Sequence, residues 1–192
     1  MIAKCESYTQ KTFKTLMQTM SRPGTVQQLD LREGDAPYMP ILLTLLDNEV
    51  TFAIQGDANS EGIIEDIKDN IIDGIILATG SKQTSVEQAD FILVTDGTNV
   101  ADKAKRGDLR YPDKGATIIY QVNSLNGSDL PIRLKGPGIP GERVLTVDGF
   151  CQEEIVNVKA ANQDFPMGVD LILVDSEARV SCIPRTTRTE VV

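Results

Sequence analysis

Apolar positions along the chain change period several times, and each change marks an element. Ser7 and Gln10 have the spacing of a capping box, and Phe13, Leu16, Met17 and Met20 then recur at helical intervals. This first helix should stop at Ser21-Arg22-Pro23-Gly24, because proline disfavours helical geometry before it and glycine admits a tight turn. Residues 25–31 read as a strand. Pro37 and Pro40 bracket the start of a short apolar helix over 41–46. Val50, Phe52 and Ile54 alternate with polar residues, as in a half-buried strand. Ile63, Ile64, Ile67 and Ile71 mark an amphipathic helix with two possible ends: a stop at Asp73-Gly74 followed by a strand over 75–78, or continuation to Thr79. The run Phe91-Ile92-Leu93-Val94 has the length of a buried strand. A polar helix over 99–106 closed by Gly107 is expected next. A hairpin should follow, with strands over 116–125 and 130–135 joined through Asn126-Gly127, a dipeptide suited to a type I′ turn. A last helix spans 150–161. A final pair of strands meets near Ser176-Glu177.

Interleaved helices and strands with later hairpins predict a mixed sheet covered by helices, a three-layer α/β or α+β arrangement. At 192 residues the chain is expected to form a single domain over 1–192. It shows no internal repeat and no linker. No run of 18 apolar residues is present, so no membrane span is expected. The start, Met1-Ile2-Ala3-Lys4-Cys5-Glu6, lacks the apolar core of a signal peptide, which makes the cytoplasm the expected compartment. The net charge of −9 argues against nucleic acid as a partner. A local cationic cluster could still dominate a small site for an anion.

The chain has no histidine, which removes Ser-His-Asp and Cys-His catalysis and every histidine-based metal site. Cys5, Cys151 and Cys182 are scattered and odd in number; they read as small apolar fillers. No metal site is expected. Asp47, Glu49, Asp57 and Glu61 read as a solvated acidic surface.

The tail concentrates what polar chemistry there is. After an apolar strand and a turn, the chain leaves the sheet at Pro184 and presents Arg185, Thr186, Thr187, Arg188 and Thr189. Guanidinium forks and hydroxyls suit phosphate-like oxygens, although on pattern alone such a tail reads first as a solvated end. Lys135, Gly136, Pro137 and Gly138 follow a strand, where glycines would let backbone amides approach an anion, or would simply make a bend. Arg22 stands at a helix end, either at the lip of a cleft or in solvent. Asp170 enters an apolar strand and must find amides or a cation there. These readings make Arg22, Lys135, Gly136, Gly138, Asp170, Arg185, Thr186 and Thr187 the candidate anion-binding or substrate-binding residues. No catalytic residue is assigned.

Several stretches fall together in order: residues 13–24, from Phe13 to the turn Met20-Ser21-Arg22-Pro23-Gly24, then Leu42-Leu43-Thr44-Leu45-Leu46-Asp47-Asn48, Gly115-Ala116-Thr117-Ile118-Ile119, Lys135-Gly136-Pro137-Gly138-Ile139, Phe165-Pro166-Met167-Gly168-Val169-Asp170 and Ile183-Pro184-Arg185-Thr186-Thr187. In this the chain resembles the PhnH family, a subunit of the bacterial carbon–phosphorus lyase system. The resemblance covers almost the whole sequence and is weakest over 63–88. It implies a three-layer α/β/α domain like the large domain of pyridoxal-phosphate-dependent transferases, with the pyridoxal phosphate site lost and no bound cofactor. It implies a homodimer when isolated, and PhnG, PhnI and PhnJ as partners in a core complex, with PhnL helping. The implied reaction is displacement of the purine base of ATP or GTP by an alkylphosphonate, giving a ribose 1-phosphonate 5-triphosphate in organic phosphonate catabolism. The phosphonate and the nucleoside triphosphate would meet at a shared site. The alternative is an architectural subunit that stabilises the complex.

Overall fold

The computed structural model describes residues 2–56 and 63–192. In chain order the elements are α1 (Ile2–Ser21), β1 (Gln27–Gln28), α2 (Met39–Leu45), β2 (Thr51–Gln55), α3 (Ile63–Thr79), β3 (Lys82–Gln83) and β4 (Phe91–Val94). A single 3-10 turn (Pro112–Lys114) leads to β5 (Thr117–Val122), β6 (Leu130–Lys135) and β7 (Arg143–Val147). Then come α4 (Gln152–Ala161), β8 (Asp170–Asp175), β9 (Arg179–Ile183) and β10 (Arg188–Val191). The main sheet is mixed and has seven strands in the order β1-β9-β8-β5-β4-β2-β3, with β2, β4, β5 and β8 parallel. A separate antiparallel sheet has the order β10-β6-β7.

Strand alternation divides the core in two. Phe52, Leu93, Ile119, Ile172 and Val174 point to one face, where Leu16 of α1, Ile41 and Leu42 of α2, and Ile72 and Ile75 of α3 cover them. Ile92, Val94, Ile118, Tyr120, Leu171 and Leu173 point to the other. There the expected helical cover is replaced by two different things. Ile132 and Leu134 of β6, with Leu145 and Val147 of β7, supply a sheet face, and α4 adds Ile155, Val158 and Ala161. The fold is therefore a mixed α/β domain whose second face is closed partly by strands. Strands buried on both faces read as continuous apolar runs, which is why β4, β5 and β8 were visible in sequence.

Several expectations are corrected. The first helix begins at Ile2, well before Ser7, so no capping box starts it at Ser7. Its buried stripe is Tyr8, Thr12, Leu16 and Thr19, while Phe13 and Met17 are more than half exposed. The threonines can be buried because the Thr12 hydroxyl donates to the Tyr8 carbonyl (3.2 Å), and the Thr19 hydroxyl donates to Leu16 (3.0 Å) and lies 3.0 Å from the Cys182 sulfur. The strand expected over 25–31 shrinks to the two residues of β1, paired to the edge of β9. α3 runs through Gly74 to Thr79, the second of the two ends considered. Of the acidic stretch, Asp57 and Glu61 lie outside the described residues.

The helix expected over 99–106 is a single turn. Its amides at Val100 and Ala101 donate to the buried carboxylate of Glu154 (3.1 and 2.8 Å), and Arg106 is diverted into a bridge with Gly115. The expected hairpin is also absent, because β5 pairs with β4 and β8 inside the main sheet while β6 belongs to the second sheet. Asn126-Gly127 marks the crossing between sheets. There the Asp148 carboxylate accepts from the amides of Ser128 and Asp129 (both 2.8 Å), and a Cβ on Gly127 would stand 1.8 Å from it. No helix among the described residues is long and apolar enough to cross a membrane.

Glu154 is the most deeply buried carboxylate of α4. Besides the two amides it accepts from the Tyr120 hydroxyl and from Asn157 (3.1 Å). Burial, then the adjacent Glu154 charge, raises the Tyr120 phenol above its ordinary value, so the phenol stays a donor. Glu154→Ala leaves two amides and a phenol without an acceptor and should lower unfolding stability by about 3 kcal/mol in urea titration. Glu154→Gln, which keeps one acceptor oxygen, should lose less.

Candidate functional site

An open groove of about 1150 Å³ lies at the tail. Its floor is the turn at Thr186 and Thr187 with β10. One wall is α4 and the segment after it, through Val156, Lys159, Ala160, Asn162, Gln163 and Phe165; the other is Arg133, Lys135 and Pro137. On α4 the lining residues Val156, Lys159 and Ala160 have i, i+3, i+4 spacing, which Gln163 continues just past the helix, opposite the buried stripe of Glu154, Ile155, Val158 and Ala161.

Five cationic side chains line the groove, Arg133, Lys135, Lys159, Arg185 and Arg188, against the single carboxylate of Glu190. In a chain of net charge −9 this is a local reversal of sign. Their commitments differ. Arg185 is only 13% exposed; its Nε and Nη2 donate to Asp170 Oδ2 (3.0 and 2.5 Å) and its Nη1 to the Pro112 carbonyl (2.6 Å). The Arg185 amide also donates to Asp170 Oδ1 (2.8 Å). Arg133 pairs with Glu190 (3.0 Å) and lies 3.8 Å from Glu142. Lys135 pairs with Glu142 at 3.0 Å and holds that carboxyl below the usual range. Lys159 and Arg188 are exposed and have no acidic partner among the described residues.

Of the sequence-derived candidates, the groove gathers Lys135, Arg185, Thr186 and Thr187. Thr186 is exposed on the floor, whereas Thr187 is buried with its hydroxyl oxygen unpartnered. Asp170 stands behind the groove as the anchor of Arg185. Arg22 lies outside it, exposed at the end of α1.

Gly136 and Gly138 serve backbone packing. Gly138 (φ +78) follows Pro137 with the Ile139 amide donating to the Gly136 carbonyl (3.2 Å), the pattern of a type II turn. A Cβ there would lie 2.1 Å from the Ser21 carbonyl oxygen, and one on Gly136 would lie 2.9 Å from the Thr186 carbonyl oxygen. The loop after β6 is thus wedged between the exit of α1 and the turn that starts the tail. The separated motifs do converge, but as a junction of close backbones. Sequence reasoning missed Lys159, Arg133 and Gln163. The helical spacing on α4 carried the signal for Lys159 and Gln163; none was available for Arg133, whose place depends on β10 pairing with β6.

A family model described as bacterial phosphonate metabolism protein (PhnH) matches residues 2–190. The chain is 34% identical over 180 residues to a Stutzerimonas stutzeri protein named as a C-P lyase subunit, HtxG, covering 93% of this chain and 84% of that one. It is 30% identical over 192 residues to the alpha-D-ribose 1-methylphosphonate 5-triphosphate synthase subunit PhnH of Rhizobium meliloti (strain 1021), covering 94% and 90%.

The two arginines of the tail should respond differently to truncation. Arg185→Ala strands the Asp170 carboxylate and should lower stability by about 3 kcal/mol. Arg188→Ala should leave it within about 0.5 kcal/mol. Guanidinium denaturation of the two variants checks both.

Proposed function

The chain belongs to the PhnH family of bacterial phosphonate metabolism proteins, and on that footing we propose that it is a subunit of a carbon–phosphorus lyase complex contributing to the synthesis of alpha-D-ribose 1-methylphosphonate 5-triphosphate. The observation that carries this reading is the match over nearly the whole length, to the family and to two subunits of such systems. PhnG, PhnI and PhnJ, with PhnL helping, are the partners we infer; a homodimer in isolation and residence in the cytoplasm complete the reading. We also keep the likeness to the large domain of pyridoxal-phosphate transferases, which the central run of parallel strands supports.

The reaction asks for more than this chain offers. A phosphonate oxygen attacks the anomeric carbon while the purine leaves, through an oxocarbenium-like transition state. Two polyanions must be held in line and the departing base needs an acid. There is no histidine, and the acids beside the groove are engaged: Glu190 and Glu142 with cations of β6, Asp170 with Arg185. Parallel α/β sheets usually hold small substrates beyond the carboxyl ends of their strands. This groove lies at the opposite end, where Arg185 meets the first residue of β8. Both points favour a subunit that supports a composite enzyme over one that carries the bond-making groups, and the isolated chain is expected to be inactive.

Omitting the chain from a complex reconstituted with the other subunits should cut nucleoside triphosphate conversion in the presence of methylphosphonate by about tenfold or more. Conversion at the full rate without it would overturn the reading. The chain is expected to work without a cofactor, so incubation with pyridoxal phosphate should give no aldimine absorption band.

A further inference from the structure

We propose that the groove beside β10 is a docking site for an extended, acidic polypeptide segment of a partner subunit; the proposal rests on the reading of the chain as a complex subunit. Charge is the first argument. Lys159 and Arg188 face the groove without acidic partners among the described residues, in a chain that is otherwise strongly acidic. Such a pair attracts anionic groups, carboxylates among them, and steers their approach.

Apolar surface is the second. Val156 is 59% exposed and Phe165 63% exposed, and Ala160 and Pro137 lie with them on the walls. The oxyanions of a phosphonate or a triphosphate gain nothing from these side chains. An extended segment, whose side chains alternate in direction, can place apolar residues on Val156 and Phe165 and carboxylates on Lys159 and Arg188. The cavity of about 1150 Å³ is open and larger than a small-molecule site needs.

The third argument comes from the backbone. β10 is an edge strand paired only to β6. The Val192 amide donates to the Pro131 carbonyl (3.1 Å), and this fixes the parity of the ladder. Arg188 and Glu190 therefore exchange their hydrogen bonds with Lys135 and Arg133, while the N–H and C=O of Thr189 and Val191 turn away from β6, to the side where α4 packs. Among the described residues these groups receive no hydrogen bond. Thr189 is buried and Val191 half-buried, so an incoming chain could extend this ladder only at Val191.

The test uses the full chain in the assembled complex. The double variant Lys159→Glu/Arg188→Glu alters two exposed groups and should keep the wild-type thermal melt. It should lower the amount of chain that co-purifies with the partner subunits by about tenfold or more, and Lys159→Arg/Arg188→Lys should restore it. A photo-crosslinking residue replacing Gln163 should capture an Asp- or Glu-rich segment of one partner, and excess ATP with methylphosphonate should not compete. Unchanged co-purification of the charge-reversed chain, capture of a segment without acidic residues, or competition by the small anions would each overturn the proposal. Failure of the wild-type chain to co-purify would instead overturn the subunit reading.

Discussion

Asp170 and Arg185 form the contact on which the carboxyl-terminal third of the molecule turns. Asp170 is the first residue of β8, and Arg185 stands two residues beyond the end of β9, so the pair closes the β8–β9 hairpin at its open end. The same guanidinium reaches the Pro112 carbonyl and so ties down the loop before β5. A mostly buried charge must be matched by an opposite charge and filled hydrogen bonds, or the fold is penalised by several kcal/mol. Here both oxygens of Asp170 accept, one from the Arg185 backbone and one from its side chain. With the arginine held so, the chain must turn at Thr186 and run back along β6 as β10. The groove exists because that return strand lies beside α4.

That geometry separates two kinds of cation. Arg185, Arg133 and Lys135 each face a carboxylate within 3.0 Å, so their charge is largely spent inside the molecule. Lys159 and Arg188 project from α4 and β10 without such partners among the described residues. A count of positive residues along the tail treats these alike. Their availability differs because burial and pairing, more than charge itself, decide what a side chain can still bind.

How much was legible beforehand follows the same division between local and distant information. Short apolar runs revealed β4, β5 and β8, since a strand covered on both faces is largely apolar. The buried face of α1 was misread because Thr12 and Thr19 satisfy their hydroxyls against their own helix and can replace apolar residues inside. The β5–β6 hairpin was misread because Asn126-Gly127 marks a turn but does not say which sheet the next strand joins. β10 was invisible: Arg188, Thr189, Glu190 and Val191 look like a polar end until β6 is there to pair with them. Of the site, Arg185 and Asp170 were each singled out and Asp170 was expected to meet amides or a cation, but which cation it meets depends on the β8–β9 pairing. Lys159 was readable only once α4 had a known inner face.

The same distinction bears on why glycines and prolines stand at separated motifs of this chain. The turn at Pro23-Gly24 and the turn at Pro137-Gly138 each put a glycine in the left-handed region after a proline. Each is also in contact with another element: a Cβ on Gly24 would lie 2.5 Å from Leu134, and one on Gly138 would lie 2.1 Å from the carbonyl of Ser21. The two turns lock α1 to the second sheet, and Arg143 adds a 2.8 Å bond to the Pro23 carbonyl. A side chain at either glycine would have to displace that neighbour. The glycine-rich loop after β6, a candidate anion-binding loop in sequence, thus also has a packing reason for its Gly138, which lies against the exit of α1.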